Sequence, residues 1–273
     1  MERKSFGLIL GLSLALGLLG GWSRAQAQPA SQLPKDLVVG TLTPGTTHYL
    51  GASALAKVLA HTTVRVTVEA TRGPVVWLPR MEEGKIDVGT FSTIDGHYAA
   101  RGLPPLYRDK PRPWLRTLQA APLFNTGVVV RKDSKMFSLA DLKGKRIPWG
   151  YAGIPAAMIN VEAMLRSMGL TSKDLDTRVA VPGFADGLEA FAEGRVDAAF
   201  AGAPTVVRLR ELDTAFGIRF LQGDCSREGK RKVEEFIPGV TMTKEPAGYG
   251  VLKEETCLLA MSMNFAVPKT MPD

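Results

Sequence analysis

The residues best suited to chemistry sit in a short loop, Thr43-Pro44-Gly45-Thr46-Thr47, followed at once by His48, Tyr49 and a helical apolar pattern. Glycine lets a backbone approach a ligand closely, hydroxyls and free N–H groups donate, and a helix start carries the positive end of its dipole. Such a loop suits a small anion. His48 has two readings, a solvated or capping side chain and a ligand contact. Asp95 and His97 invite an acid–base reading, but no nucleophile motif of the G-x-S-x-G kind accompanies them. Dinucleotide, P-loop and HExxH patterns are also missing. The expectation is a binding protein with no catalytic residue and no cofactor. Two cysteines and three histidines are too few for a multi-ligand zinc cluster, so no metal is expected either. Cys225 and Cys257 could form a disulfide in an oxidising compartment, and the sequence leaves their pairing open.

The elements that must position this loop are legible from a repeat. Segment 40–90 aligns on segment 150–200 without gaps, with Gly73/Gly183, Leu78/Leu188 and Gly40/Gly150 among the identities. Each copy carries Glu-Gly-(Lys/Arg)-(Ile/Val)-Asp, at Glu83–Asp87 and Glu193–Asp197, the pattern of a helix stopped by glycine and turning into a strand. In the first copy Leu37-Val38-Val39-Gly40 reads as a buried strand, Leu50, Ala54, Leu55, Val58 and Leu59 as a helical stripe, and Val64 to Val68 as a strand. In the second, Ile147-Pro148-Trp149 is the strand and Met158, Val161, Met164, Leu165 and Met168 the stripe, with the methionines as core fillers. Asp87 and Asp197 are expected to pair the turn in both copies. The result is βαβαβ twice: an α/β fold of two duplicated βαβ lobes with a cleft between them. Val128–Ser134 and Ala266–Thr270 read as the two strands of a hinge.

With 34 Lys+Arg against 27 Asp+Glu the chain carries +7, yet it has no basic block of the nucleic-acid type, so no nucleic acid is expected as a partner. Residues 1–27 read as a cleaved export signal: Arg3 and Lys4, an apolar run from Phe6 to Leu19, then Ala25-Gln26-Ala27 at the cleavage site. The domain expectation is a signal peptide at 1–27, a first lobe of 28–130 with 256–273, and a second lobe of 131–255. The mature protein is expected in the periplasm, as a monomer.

At this point the sequence resembles the TAXI class of solute-binding proteins of TRAP transporters, from about Leu37 to Pro268. The carrying motifs are Val39-Gly40-Thr41, Tyr49-Leu50-Gly51, Val130-Arg131-Lys132-Asp133-Ser134, Asp141-Leu142-Lys143-Gly144-Lys145-Arg146 and Glu193 through Phe200. The resemblance implies a type II periplasmic-binding-protein fold. It also implies capture of a small, usually carboxylate-bearing solute for an inner-membrane TRAP permease. The alternative is a binding protein of an ABC-type importer or of a membrane sensor.

For such a receptor the carboxylate is expected on Thr43, Gly45, Thr46, Thr47 and Tyr49, with Gly73, Ser92 and Thr93 completing that wall. Gly153, Ile154, Ala203 and Pro204 are expected to face it with apolar surface. Two departures from the family pattern, Arg72-Gly73-Pro74 with Trp77 and Ala152-Gly153-Ile154-Pro155-Ala156, remove hydroxyls and an amide. They point to a monocarboxylate with an apolar body. Family members generally continue into C-terminal helices past the point where this chain stops, which reads as a truncation.

Overall fold

The glycine stops and apolar runs become two copies of one alternating unit. The computed structural model describes residues 34–107 and 110–271. The first copy comprises β1 (Asp36–Thr41), α1 (Thr47–Leu59), β2 (Arg65–Ala70), α2 (Pro74–Glu82), β3 (Val88–Ser92) and α3 (Thr93–Arg101). Strand β4 (Leu115–Arg131) leads to the second, with β5 (Arg146–Trp149), α4 (Ala156–Ser167), β6 (Asp176–Ala180), α5 (Phe184–Ala192), β7 (Ala199–Gly202) and α6 (Val207–Phe216). The chain then adds β8 (Ile218–Phe220), α7 (Arg227–Phe236), β9 (Thr241–Glu245) and β10 (Thr256–Pro268). The N-terminal leader expected over 1–27 lies outside the described residues.

The two copies share a structural device as well as a pattern. The Asp87 carboxylate accepts from the Val38 N–H at 2.8 Å, and the Asp87 N–H donates to the Val38 carbonyl. Asp197 does the same to Arg146, again at 2.8 Å to the backbone N–H. Each aspartate thus clamps the turn after a helix to the opening strand of its own lobe. Helices α2 and α5 keep the 110-residue offset at both ends, and each starts after a glycine, Gly73 or Gly183. The opening strands do not keep it. Gly40 lies inside β1, whereas Gly150 follows β5 at φ 87°.

Gly40 has a packing reason. It pairs with Gly89 across the parallel β1–β3 ladder, and the two bare backbones form a slot for the fully buried Trp77 indole. A Cβ on Gly89 would lie 2.0 Å from Trp77, and one on Gly40 would lie 3.0 Å away. Phe91 closes the slot edge-on, with ring centroids 4.5 Å apart. Trp77 therefore faces the sheet and not the cleft, contrary to its reading as a replaced cleft residue.

On α1 the buried positions are His48 and Ala52, and of the apolar stripe read from the sequence Leu55 packs against the core while Leu50 and Val58 are exposed. The helix approaches through small residues instead: a Cβ on Gly51 would lie 2.4 Å from the Met263 methyl. Close approach at Gly51 lets the Met263 and Phe265 side chains of β10 reach the helix.

Strands β4 and β10 organise the sheets. The main sheet runs β2-β1-β3-β10-β4-β7, with β8 on β4 and β9 on β10, while β5 and β6 form a separate pair. Strand β10 pairs β3 through Met263–Ala266 and β9 through Thr256–Ala260. Strand β4 pairs β10 from Leu115 to Thr126, then passes to β7 and β8 from Gly127 to Arg131. The chain thus changes lobes near Thr126–Gly127 and Leu259–Ala260. Val130 is already paired with Arg219 in the second lobe, and Val267 is still paired with Arg116 in the first. The crossing lies some residues away from both segments assigned to it from sequence, because apolar content marks a strand without saying which partner it has.

A disulfide joins Cys225, ahead of α7, to Cys257 in β10, across 32 residues of chain. It fastens the α7–β9 hairpin to a crossing strand. The slot provides a test of the packing account. Gly89→Ala should destabilise the protein by about 1–3 kcal/mol through overpacking, and adding Trp77→Phe should recover part of that loss. Urea denaturation checks it; additive losses in the double variant would contradict the slot.

Candidate functional site

A cavity of about 60 Å³ lies where the lobes meet. Its floor is the crossing itself: Phe124 and Thr126 of β4 with Met261 of β10. The first lobe adds Leu42, the start of α1 (Thr46, Thr47, His48) and the start of α3 (Ser92, Asp95). The second adds Ile154 with Ala156 and Asn160 of α4, Phe184 at the start of α5, and Phe200, Gly202, Ala203 and Val206 at and after the end of β7. The starts of α1, α3, α4, α5 and α6, the last through its N-cap Val206, therefore surround one cavity beyond the carboxyl ends of the strands, where open α/β sheets bind ligands.

Of the residues expected from sequence, Thr46, Thr47, Ser92, Ile154 and Ala203 line this cavity. The others stand apart from it. Thr43 is exposed, and its carbonyl accepts from the Thr46 hydroxyl at 2.8 Å. Gly45 takes φ 86°, a turn conformation that glycine adopts freely, with open space where a Cβ would stand. The Tyr49 N–H donates to the Thr46 hydroxyl at 3.2 Å. Thr93 is tied to the crossing strand, donating to the Ser262 carbonyl and accepting from its N–H. The Pro204 carbonyl accepts from Val251. Gly73 and Gly153 have another role. They close the lip of the cleft, for a Cβ on Gly73 would sit 2.4 Å from the Gly153 carbonyl oxygen.

The capping hydroxyls are also less available than the sequence suggests. Thr46 caps α1 by accepting from Tyr49, and Ser92 caps α3 by accepting from the Asp95 N–H while donating to the Asp95 carboxylate at 2.7 Å. Asp95 sits in the first turn of α3 and offsets its dipole. Helix α5 carries Asp186 in its first turn. Helix α4 has neither a side-chain cap nor an acidic residue in its first turn, and neither has α6, whose N-cap Val206 also lines the cavity. Asn160, one turn in, donates to the Ala156 carbonyl at 2.8 Å and accepts from the Thr126 hydroxyl at 3.4 Å, linking α4 to β4.

Two titratable side chains face the cavity, and burial moves each toward its neutral form. His48 is 8% exposed, stands edge-on to Phe124 with ring centroids 5.5 Å apart, and is pushed down to about 4 by desolvation. Asp95 is 5% exposed and pushed up to about 6 by desolvation, against hydrogen bonds from Ser92 and from the Tyr107 hydroxyl at 3.3 Å. His97, by contrast, turns to Arg101 at 3.2 Å. Asp95 and His97 do not form a pair.

With this geometry in view, the comparison with known proteins is decisive for the family. The NMT1-like family model matches residues 39–273. The chain belongs to the NMT1-like family. Among solved structures, this NMT1-like protein is similar to the alkanesulfonate-binding protein SsuA from Xanthomonas axonopodis pv. citri bound to MOPS, at 19% identity and TM-score 0.54, covering 86% of this chain and 66% of that one. It is also similar to the periplasmic aliphatic sulphonate binding protein SsuA from Escherichia coli, at 16% identity and TM-score 0.50, covering 84% and 61%. A third is arginine-bound ArgBP from T. maritima, a Gly52Ala mutant, at 17% identity and TM-score 0.51, covering 86% and 88%. The chain thus spans just under two thirds of the two sulfonate-binding proteins. These likenesses show the fold, the two-lobed α/β architecture of periplasmic binding proteins.

Sequence reasoning missed the cavity floor because it placed the crossing elsewhere: Phe124, Thr126 and Met261 follow only once β4 and β10 are in register. Phe184 was legible as part of a helical stripe with Leu188 and Phe191, but it stands at the cavity edge-on to Phe200, 6.0 Å between centroids. Phe200 and Gly202 were findable, since both lie at the carboxyl end of a strand.

The buried pair sets the pH response. Unfolded His48 takes up a proton below its ordinary 6.5, which the folded ring refuses until about 4, so it costs stability as pH falls. Folded Asp95 keeps its proton to about 6, where the unfolded carboxyl loses it near 3.8, so it costs stability as pH rises. Between roughly pH 4 and 6 the two slopes oppose each other. Relative to wild type, His48→Gln should make stability fall as pH rises through this window and Asp95→Asn should make it rise, each by on the order of 2 kcal/mol. Urea titrations at several pH values check this; parallel profiles in all three proteins would contradict it.

Proposed function

We propose that this chain is the solute-binding receptor of a membrane importer, exported by its leader to the periplasm and taking a small solute between its lobes. The observation that carries the reading is the cavity enclosed by helix starts of both lobes over the β4–β10 crossing. A site shared by two lobes couples binding to closure, because the solute interacts with both walls only when they meet. The sequence reading divides the lobes as residues 28–130 and 256–273 against 131–255; the division we propose moves both boundaries to the strand crossing, Thr126–Gly127 and Leu259–Ala260, where the bending falls. No catalysis is assigned to it.

Of the two importer classes, an ATP-driven ABC-type importer is the better supported, through the similarity to sulfonate- and arginine-binding proteins. A TRAP permease of the TAXI class is the second reading, favoured by the motif run from Val130 to Phe200. The solute is small and polar at its ends, with apolar contact from Phe124, Phe184, Phe200 and Ile154.

Thermal-shift screening of the mature protein against small organic acids, sulfonates and amino acids should yield a solute that raises its melting temperature, since a ligand of the native state stabilises by mass action. Ala203→Met, which fills the cavity without adding charge, should abolish that shift and leave the unliganded melting temperature within a few degrees. An unchanged shift in folded Ala203→Met protein would move the site out of the cleft.

A further inference from the structure

The first-lobe wall of the cavity carries a carboxylate with no cationic side chain paired to it among the described residues. Asp95 is buried and lines the cavity, and its carboxylate accepts from the hydroxyls of Ser92 and Tyr107 and from the Ser92 backbone, none of them a charged donor. Among the described residues no lysine or arginine lines the cavity. Arg112 lies over the Tyr107 ring, 5.5 Å from its centroid, but is engaged by Glu82 at 2.7 Å. The dipole of α3 compensates part of one charge at most. A buried carboxylate in this position is costly unless a proton or a cation joins it.

Beside it stands His48, more than nine-tenths buried, facing the same cavity and without a hydrogen-bond partner among the described residues. Its ring is neutral at physiological pH and does not repel a cation. The opposite wall has the reverse character. Helix α4 presents an uncapped N-terminus at Ala156, after a proline that has no N–H of its own, with no acidic residue in its first turn. The cavity is therefore polar in a directed sense: acceptors on the first lobe and, on the second, the positive end of the α4 dipole, where the Ala157 and Met158 N–H groups turn back to the Ile154 and Pro155 carbonyls.

We propose that the solute carries two unlike ends, a cationic or N–H-bearing nitrogen set against Asp95 and His48 and an anionic group set against the start of α4. This deepens the solute-binding reading and rests on it. It also revises the sequence expectation of a carboxylate held by the first-lobe loop. A purely anionic solute would leave Asp95 without a partner and bring a like charge near it, whereas a two-ended solute satisfies both walls and draws the lobes together.

The test uses matched probes on the mature protein at pH 7.5, read by thermal shift and calorimetry: taurine against ethanesulfonate, β-alanine against propionate, and alanine and arginine as α-amino acids. The nitrogen-bearing member of a pair should bind at least tenfold more tightly than its partner. Asp95→Asn should erase that preference, and the same variant's denaturation profile shows whether it is folded. If the anion-only members bind as tightly as their amino partners, or if Asp95→Asn keeps the preference, the inference is overturned. Hits confined to nitrogen-free acids in the wider screen would overturn it while leaving solute binding in place. No hit in the whole screen would remove both.

Discussion

The antiparallel pairing of β4 with β10 is the constraint on which the rest of this structure depends. Each strand is shared, β4 between β10 and the β7–β8 edge, β10 between β3 and β9. One ladder therefore fixes the position of the first-lobe sheet relative to the second-lobe strands. Because the helices of each lobe start beyond the carboxyl ends of their strands, fixing the strands brings the helix starts face to face. The cavity is a consequence of that topology, and its side chains decide what it holds.

The same constraint accounts for where glycine appears. Gly127 sits at the crossing, where a Cβ would lie 2.5 Å from Phe220 and 2.8 Å from Leu258, and it pairs with Gly202 at the rim of the cavity. Gly73 meets Gly153 where the lobes touch. The Gly73–Gly153 contact lies between the lobes and would be lost first if they separated. Within a lobe the aspartate clamps at Asp87 and Asp197 and the Trp77 slot are local, so each lobe has means to keep its shape during opening.

The duplicated unit was legible from sequence because its signals are local: a glycine stop, an acidic residue two or three positions later, an apolar run. Helices α2 and α5 and their aspartates follow from such signals directly. The cavity was legible on one side, through Thr46, Thr47 and Ser92, for the same reason. What stayed hidden depends on tertiary contact. Leu50 and Val58 look like a buried stripe until Gly51 lets α1 down onto Met263. Gly45 reads as part of the ligand loop, but it is not among the residues that line the cavity. Asp95 looked like half of a catalytic pair with His97, yet one helical turn sends His97 to Arg101 while Asp95 turns inward to Ser92 and Tyr107. The crossing point was out of reach of pattern alone, since an apolar strand of 17 residues carries no mark of where its partner changes.

The central claim is that the cavity over the crossing holds the solute. A crystal structure of the protein grown with the compound that most raises its melting temperature tests this most directly. The account predicts density for that compound between the starts of α1, α3, α4 and α5, resting on Phe124 and Met261. Density for it in the groove beside the Cys225–Cys257 disulfide, with the cleft empty, would contradict it.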